Sequence, residues 1–182
     1  MIWNLFKRKK SNQALVERQY AEITRAARVP AFYESMGVPD TVLGRFEMIS
    51  IHLILYLRRT GKAGEPSRAL AQDIVDAFFE DVDHSIRELG IGDMGVPKRM
   101  KKLARMFYGR VQSYGQAVDA GDRQALIDAL KRNLHPESGD AAPPMQALAD
   151  WMIATASTLE EVPDETLAAG RLTFNASDRE VA

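Results

Sequence analysis

Histidine and acidic residues are the side chains in this sequence whose types suit catalysis or metal binding. The 182-residue chain contains three histidines, His52, His84 and His135, and no cysteine. The lack of cysteine excludes disulfides, thiolate metal sites and cysteine nucleophiles. Because the histidines lie far apart in sequence, a catalytic site built on any of them must recruit its partners through the fold.

One acid-histidine pair has a spacing that suits metal binding. Asp81 and His84 are three residues apart on a predicted helix, which is the spacing of one ligand pair in a di-iron bundle. A di-metal site needs a second such pair, and the sequence does not repeat the spacing. Pairing of Asp83 with Arg87 on a solvated helix face accounts for the segment more simply. We therefore predict no metal and no cofactor.

The motifs of common enzyme sites are missing from the sequence. The glycine-bearing turns at 37–44 and 90–95 lack the lysine and the strand-to-helix context of a phosphate loop. No serine lies in a nucleophile-elbow context. We predict a protein that is not an enzyme, and an enzyme with a buried Asp/His site is the less favoured alternative.

Apolar periodicity predicts an all-α fold, a compact single-domain bundle of about six helices. Composition is globular, with 46% hydrophobic and 27% charged residues. The predicted domain organisation is a basic and aromatic N-terminal tail at 1–10, a helical domain at 11–174 and a loose C-terminal tail at 175–182. The predicted helices cover residues 12–28, 41–59, 67–89, a segment starting at 96, 125–134 and 145–159, with a short turn at 31–36. Asp40 or Thr41 is the predicted N-cap of the second helix, and the core face predicted for the third ends at Leu89.

The predicted helix at 41–59 is apolar almost all the way round between Phe46 and Leu57. These twelve residues fall short of the roughly 20 that a membrane-spanning helix needs. Two interpretations remain: a buried central helix, which is favoured, or a helix whose second apolar face is left for a partner.

Charge is unevenly distributed although the net charge is only −1. Residues 94–118 carry six basic groups and no acid, whereas residues 137–165 carry seven acids and no base. The basic helix is interpreted as a solvated face, as a partner of the acidic segment, or as a surface for RNA phosphates, anionic lipid or an acidic protein.

The first ten residues combine aromatic and basic side chains. The apolar stretch is too short for a secretion signal and its charges follow rather than precede it. Such a segment suits weak, reversible attachment to an anionic membrane surface, with a frayed terminus as the alternative. The predicted membrane-surface residues are Trp3, Phe6, Lys7, Arg8, Lys9 and Lys10.

Several separated motifs resemble the signature of the ubiquinol-cytochrome c chaperone family. They span about residues 15–118, with a weaker echo at 170–174. The matching segments are Pro30–Tyr33, Gly37–Thr41, Gly44–Phe46, Phe79–Asp83, Ile86–Asp93, Val96–Lys98, Met100–Lys101 and Phe107–Arg110. Their number and order make the resemblance more specific than any one of them.

The resemblance implies a non-catalytic, all-helical assembly factor that acts on newly made cytochrome b during biogenesis of the cytochrome bc1 complex. It also implies a small helper protein, the ribosome and the inner membrane as further partners. We predict no binding to DNA. The expected location is the bacterial cytoplasm, peripherally at the cytoplasmic face of the inner membrane. The alternative is a helical RNA- or lipid-surface adaptor without chaperone activity.

A chaperone for a membrane protein needs an apolar surface, and the apolar helix is the natural place to expect it. We predict that a client groove is bordered by Phe32, Tyr33, Phe46, Ile49, His52, Leu53 and Tyr56. Basic side chains are predicted to contact acidic client loops or ribosomal RNA; these are Arg45, Lys98, Lys101, Lys102 and Arg105.

Overall fold

The protein folds into eight α-helices in the part of the chain that the structure describes. The computed structural model describes the backbone of residues 2–174 and the side chains of 12–139 and 141–174. The helices are α1 (Ile2–Ala26), α2 (Ala31–Glu34), α3 (Val42–Gly61), α4 (Glu65–Glu88), α5 (Val96–Asp119), α6 (Arg123–Leu134), α7 (Gln146–Glu160) and α8 (Asp164–Ala168), with a 3-10 turn at Gly139–Ala141. Residues 2–174 contain no strand.

The predicted all-α bundle of about six helices is confirmed. Six helices have 12 residues or more, and the two additional ones, α2 and α8, have four and five. Helix α2 lies where the sequence predicted a short turn, and no element was predicted at the position of α8. Helix α1 begins at Ile2 instead of residue 12, so its backbone runs through the segment predicted as a tail.

The start of α3 shows how local sequence sets a helix boundary. Thr41 is extended and its hydroxyl accepts a hydrogen bond from the Gly44 backbone N–H at 3.0 Å, which is an N-cap. The cap was predicted at Asp40 or Thr41, and Thr41 supplies it. Gly44 is needed here because a Cβ at this position would lie 1.8 Å from the Pro39 carbonyl oxygen.

Helix α3 is the centre of the bundle, as the favoured interpretation predicted. Helices α1, α4, α5 and α7 all pack against it. Six consecutive residues, Ile51–Tyr56, are buried, so every side of the helix is covered by a neighbour. The apolar circumference of this helix is therefore explained by its central position.

Helices α3, α4 and α5 alternate in direction because the links between them are short. Glu47 pairs with Arg110 and Arg58 pairs with Asp119, which places α5 parallel to α3. On this register Val42 lies level with about Arg105. At 1.5 Å per residue, the first part of α5 extends about 13 Å beyond the start of α3.

The end of α4, the connecting turn and the start of α5 thus form a helical hairpin whose tip projects from the bundle. We call residues 86–99 the hairpin tip. Ile86 and Val96 are buried in it, yet neither belongs to the main core cluster. Gly90, with φ +76°, turns the chain after α4. The burial of these two side chains is therefore separate from that of the main core cluster.

Candidate partner-binding surface

Most residues of the predicted client groove are inside the protein. Phe32 is 2% exposed, and His52, Leu53 and Tyr56 are 0% exposed. Phe46 is also buried, where its ring stacks on Phe78. The predicted open groove along α3 is therefore not present in this structure, because four helices already cover the apolar surface that the prediction left for a client.

Three members of the predicted set reach the surface. Tyr33 and Ile49 are half-buried and Arg45 is exposed. Arg45 pairs with Asp40 at 2.9 Å, and the Tyr33 hydroxyl donates to the Ala27 carbonyl oxygen at 2.8 Å. Partner binding by these residues stays a prediction.

His52 is a core histidine with one unpartnered nitrogen. Its Nδ1 lies 2.8 Å from the Met48 carbonyl oxygen, which makes this nitrogen the proton carrier, and Nε2 has no partner in the described part of the chain. The rings of Phe32, Trp151 and Phe174 lie 5.6, 5.0 and 4.9 Å from it. Burial lowers the pKa of His52 to about 4, so the imidazole is neutral at physiological pH.

In the acid-histidine pair on α4, Asp81 contacts another helix and His84 lies at the surface. Asp81 accepts a hydrogen bond from the Tyr20 hydroxyl of α1 at 2.8 Å, and His84 is exposed. Burial and this hydrogen bond raise the pKa of Tyr20. Asp83 pairs with Arg87 as predicted. No group of three or more potential metal ligands occurs among the described residues.

Four of the predicted basic contacts share one exposed face of α5. Lys98, Lys101, Lys102 and Arg105 follow the three- and four-residue spacing of a single helix face, and all four are exposed. None lies within ion-pair distance of an acid whose side chain the structure describes. Tyr108, 57% exposed, continues the row by one turn. We call these five residues the basic stripe.

The acidic segment 137–165 does not neutralise the basic stripe. Its described ion pairs are with other parts of the bundle: Glu160 pairs with Lys62, Asp164 with Arg59 and Asp150 with Arg123. The interpretation of the basic helix as the partner of this segment is therefore not supported by the described contacts.

Arg110 differs from the other basic residues of α5. It is buried, and its guanidinium makes a bidentate ion pair with the carboxylate of Glu47, which is 1% exposed. Burial raises the pKa of Glu47, and the Arg110 guanidinium opposes that rise. The pair fixes α5, and with it the basic stripe, against the central helix.

Exposed apolar side chains lie beside the basic stripe on the hairpin tip. Met94 is 98% exposed and Leu89 is 59% exposed. Val42 and Leu43, at the start of α3, are 65% and 43% exposed at the same end of the bundle. Leu89 was predicted to face the core; that was wrong, because α4 ends at Glu88 and the chain turns away at Gly90.

These apolar tip residues were missed as candidate site residues. Met94 lies in a glycine-flanked turn, outside any helical repeat, and an apolar side chain in such a turn is the signal that was available.

The predicted membrane-surface residues, Trp3 and Phe6 with the basic cluster at 7–10, have side chains outside the described residues. The predicted C-terminal tail, 175–182, lies outside them as well. None of the described helices is long and apolar enough to cross a membrane.

The described residues thus form an all-helical bundle with an exposed basic and apolar surface, the class that includes helical binding proteins and chaperones. The chain belongs to the ubiquinol-cytochrome C chaperone family, whose model matches residues 34–174. This confirms the resemblance seen in the sequence motifs.

Relatives and a solved structure agree with the family. The chain is 25% identical over 136 residues to ubiquinol-cytochrome-c reductase complex assembly factor 1 of Xenopus laevis, covering 75% of this chain and 68% of that protein. It is 21% identical over 150 residues to the Mus musculus protein of the same description, covering 82% of this chain and 50% of the relative. The crystal structure of the Cbp3 homolog from Brucella abortus matches with a TM-score of 0.87 and 52% identity, over 98% of this chain and 99% of that one.

Proposed function

We propose that this protein is a non-catalytic chaperone that binds newly made cytochrome b during assembly of the ubiquinol-cytochrome c reductase complex. Membership of the chaperone family is the observation that carries the proposal. The relatives it resembles are named as assembly factors of that complex. The chain spans about half the length of the mouse relative, so the functions of that whole protein come to this chain only as part of the proposal.

The hairpin tip and the basic stripe are the surface we propose for the client. A membrane protein that is not yet inserted offers apolar segments and charged loops to its chaperone. Met94 and Leu89 supply exposed apolar contact, and the flexible methionine side chain adapts to irregular partners. The basic stripe supplies contacts for acidic loops and raises the rate of encounter with them.

The remaining partners are extensions of the same proposal. A chaperone that receives cytochrome b before insertion works next to the membrane, so we place this protein at the cytoplasmic face of the inner membrane. The N-terminal residues Trp3 and Phe6 and the cluster at 7–10 are the proposed membrane contact. A small helper protein and the ribosome complete the proposed set of partners.

Deletion of the gene tests the function itself. We expect the steady-state level of cytochrome b and the bc1 absorbance spectrum to fall together, and the wild-type gene to restore both. Unchanged values of both quantities in the deletion strain would contradict the proposal.

Charge reversal in the basic stripe tests the proposed surface. Lys101→Glu/Lys102→Glu should weaken co-isolation of cytochrome b at least about tenfold, about 1.4 kcal/mol, because the reversed charges repel acidic loops. The matched control is Lys131→Glu/Arg132→Glu, an adjacent basic pair on α6 with the same change in charge. Equal binding by both double variants would contradict the assignment of this surface.

The basic stripe also favours the alternative of an RNA- or lipid-surface adaptor. The same variants separate the two functions, because phosphate binding depends steeply on the number of basic groups. If RNA or anionic vesicle binding is lost in Lys101→Glu/Lys102→Glu while cytochrome b assembly continues, the adaptor function is supported and the chaperone function is not.

A further inference from the structure

The last described segment of the chain, Ala169–Phe174, closes the end of α8 and then lies along α1, and we call it the C-terminal strap. The N–H groups of Ala169, Gly170 and Arg171 bond to carbonyl oxygens of α8, and side chains of α1 make the further polar contacts. Arg18 donates hydrogen bonds to the carbonyl oxygens of Ala169 and Gly170. The buried amide of Gln19 makes two bonds to Leu172, accepting from its N–H and donating to its carbonyl oxygen, both at 2.9 Å.

All these contacts are made to main-chain atoms of the strap. Glu22 completes the set by accepting from the Phe174 N–H at 3.2 Å. Recognition through main-chain groups is independent of side-chain identity, as in proteins that capture extended peptides. Gln19 and Glu22 can therefore make the same bonds to another segment with a free extended backbone, whereas Arg18 bonds to the turn that ends α8.

Side chains of the strap alternate between the core and the solvent. Leu172 and Phe174 are 1% and 2% exposed, whereas Arg171 and Thr173 are exposed. This period of two is that of an extended chain with one apolar face. The groove under the strap therefore selects two apolar side chains that are two residues apart.

The floor of this groove contains the unpartnered nitrogen of His52. Phe174 packs against the imidazole at 4.9 Å, and Nε2 of that ring has no hydrogen-bond partner among the described residues. A buried acceptor without a donor destabilises the state that encloses it. Phe174 is one of three aromatic rings that enclose this imidazole, so departure of the strap removes one of the groups that keep the atom from a donor.

We propose that the C-terminal strap is a displaceable plug in a peptide-binding groove, and that an extended apolar segment of the client polypeptide takes its place. The segment carries two apolar side chains at alternate positions, and a hydroxyl or N–H donor on it reaches His52. The proposal rests on the proposed chaperone function and adds a second client site to the hairpin tip. The alternative occupant of the groove is the C-terminal strap of a second copy of this protein.

A reversible lock on the strap tests this inference in the full-length protein. Ala21 and Thr173 are both exposed and line the same shallow groove between α1 and the strap. Ala21→Cys/Thr173→Cys introduces two thiols into a chain that has no cysteine, so a short bis-maleimide with a disulfide in its linker alkylates both of them and joins them specifically. The single variants, treated with the same reagent, are the matched controls.

We expect the locked protein to co-isolate at least tenfold less cytochrome b than the same protein after reduction of the linker. Equal binding by the locked and reduced forms, with intact binding by the single variants, overturns the inference and leaves the chaperone function standing. Failure of every form, including wild type, to bind cytochrome b overturns the chaperone function and the inference with it. A dimer that forms only in the unlocked protein and excludes cytochrome b identifies the strap of a second copy as the occupant, which also overturns the inference.

Discussion

The ion pair between Glu47 and Arg110 provides a quantitative test of how the central helix is held. Its side chains are 1% and 7% exposed, so both charges are removed from water. Arg110→Met leaves the Glu47 carboxylate buried without its partner, which costs about 3–5 kcal/mol of the free energy of unfolding. For a chain of this length that corresponds to a fall in Tm of about 10 °C.

Replacing both partners should restore most of the loss. Glu47→Leu/Arg110→Met removes both buried charges at once, and apolar replacements of buried pairs are often neutral or stabilising. Urea unfolding followed by circular dichroism measures the free energy of each variant, and the two single variants with the double variant form a double-mutant cycle. The double variant should lie within about 1 kcal/mol of wild type.

An exposed pair of similar geometry is the control. Arg123 and Asp150 form a bidentate pair between α6 and α7, but their side chains are 48% and 55% exposed. Arg123→Gln should leave the unfolding midpoint unchanged, because solvent screens exposed pairs. The reasoning is refuted if Arg110→Met is as mild as Arg123→Gln, or if the Glu47/Arg110 double variant loses as much as the sum of its single variants.

Further predictions concern two glycines and one histidine. Gly44→Ala should cost about 3 kcal/mol, because its Cβ would lie 1.8 Å from the Pro39 carbonyl oxygen. Gly109→Ala should stabilise the protein by about 0.5–1 kcal/mol, since nothing lies within 4 Å of its Cβ, and urea titration of both variants checks the opposite signs. His52 has a folded-state pKa of about 4, below its unfolded value, so its contribution to stability is present above about pH 6.5 and is lost as the pH falls towards 4. From this group, the free energy of unfolding of wild type should be about 2 kcal/mol lower at pH 5 than at pH 7.5, and Glu22 is the charged side chain that acts on the imidazole. The variant His52→Leu should lack that part of the pH dependence. Parallel pH profiles of wild type and His52→Leu would contradict the assignment.

The helical bundle was predictable from local patterns. Apolar residues at helical spacing, the Thr41 cap and the glycine turn at 90–95 each act within a few residues of the chain, so they can be read from the sequence. The same patterns failed at Leu89, which continues the apolar repeat of α4 one residue past the end of the helix. A repeat predicts a face, but it does not predict where the backbone leaves that face.

The candidate surface was only partly predictable. The stripe from Lys98 to Arg105 could be read directly, because exposed basic side chains on one face need no distant partner. The burial of Arg110 could not be predicted from the sequence, because it depends on Glu47, 63 residues earlier in the chain. An open client groove on α3 was predicted for a related reason, because an apolar helix has the same sequence pattern whether neighbouring helices or a client cover it.

By itself, the sequence determined the helices, the uneven charge, the lack of cysteine chemistry and, through its motifs, the family. The tertiary structure decided which apolar surface is used inside the protein and which is left outside. It enclosed His52 and Tyr56, exposed Met94 and brought the segment at 169–174 back onto α1. The physical reason is range: helix formation and capping are local, whereas burial is shared among segments that are distant in sequence and meet only when the whole chain packs.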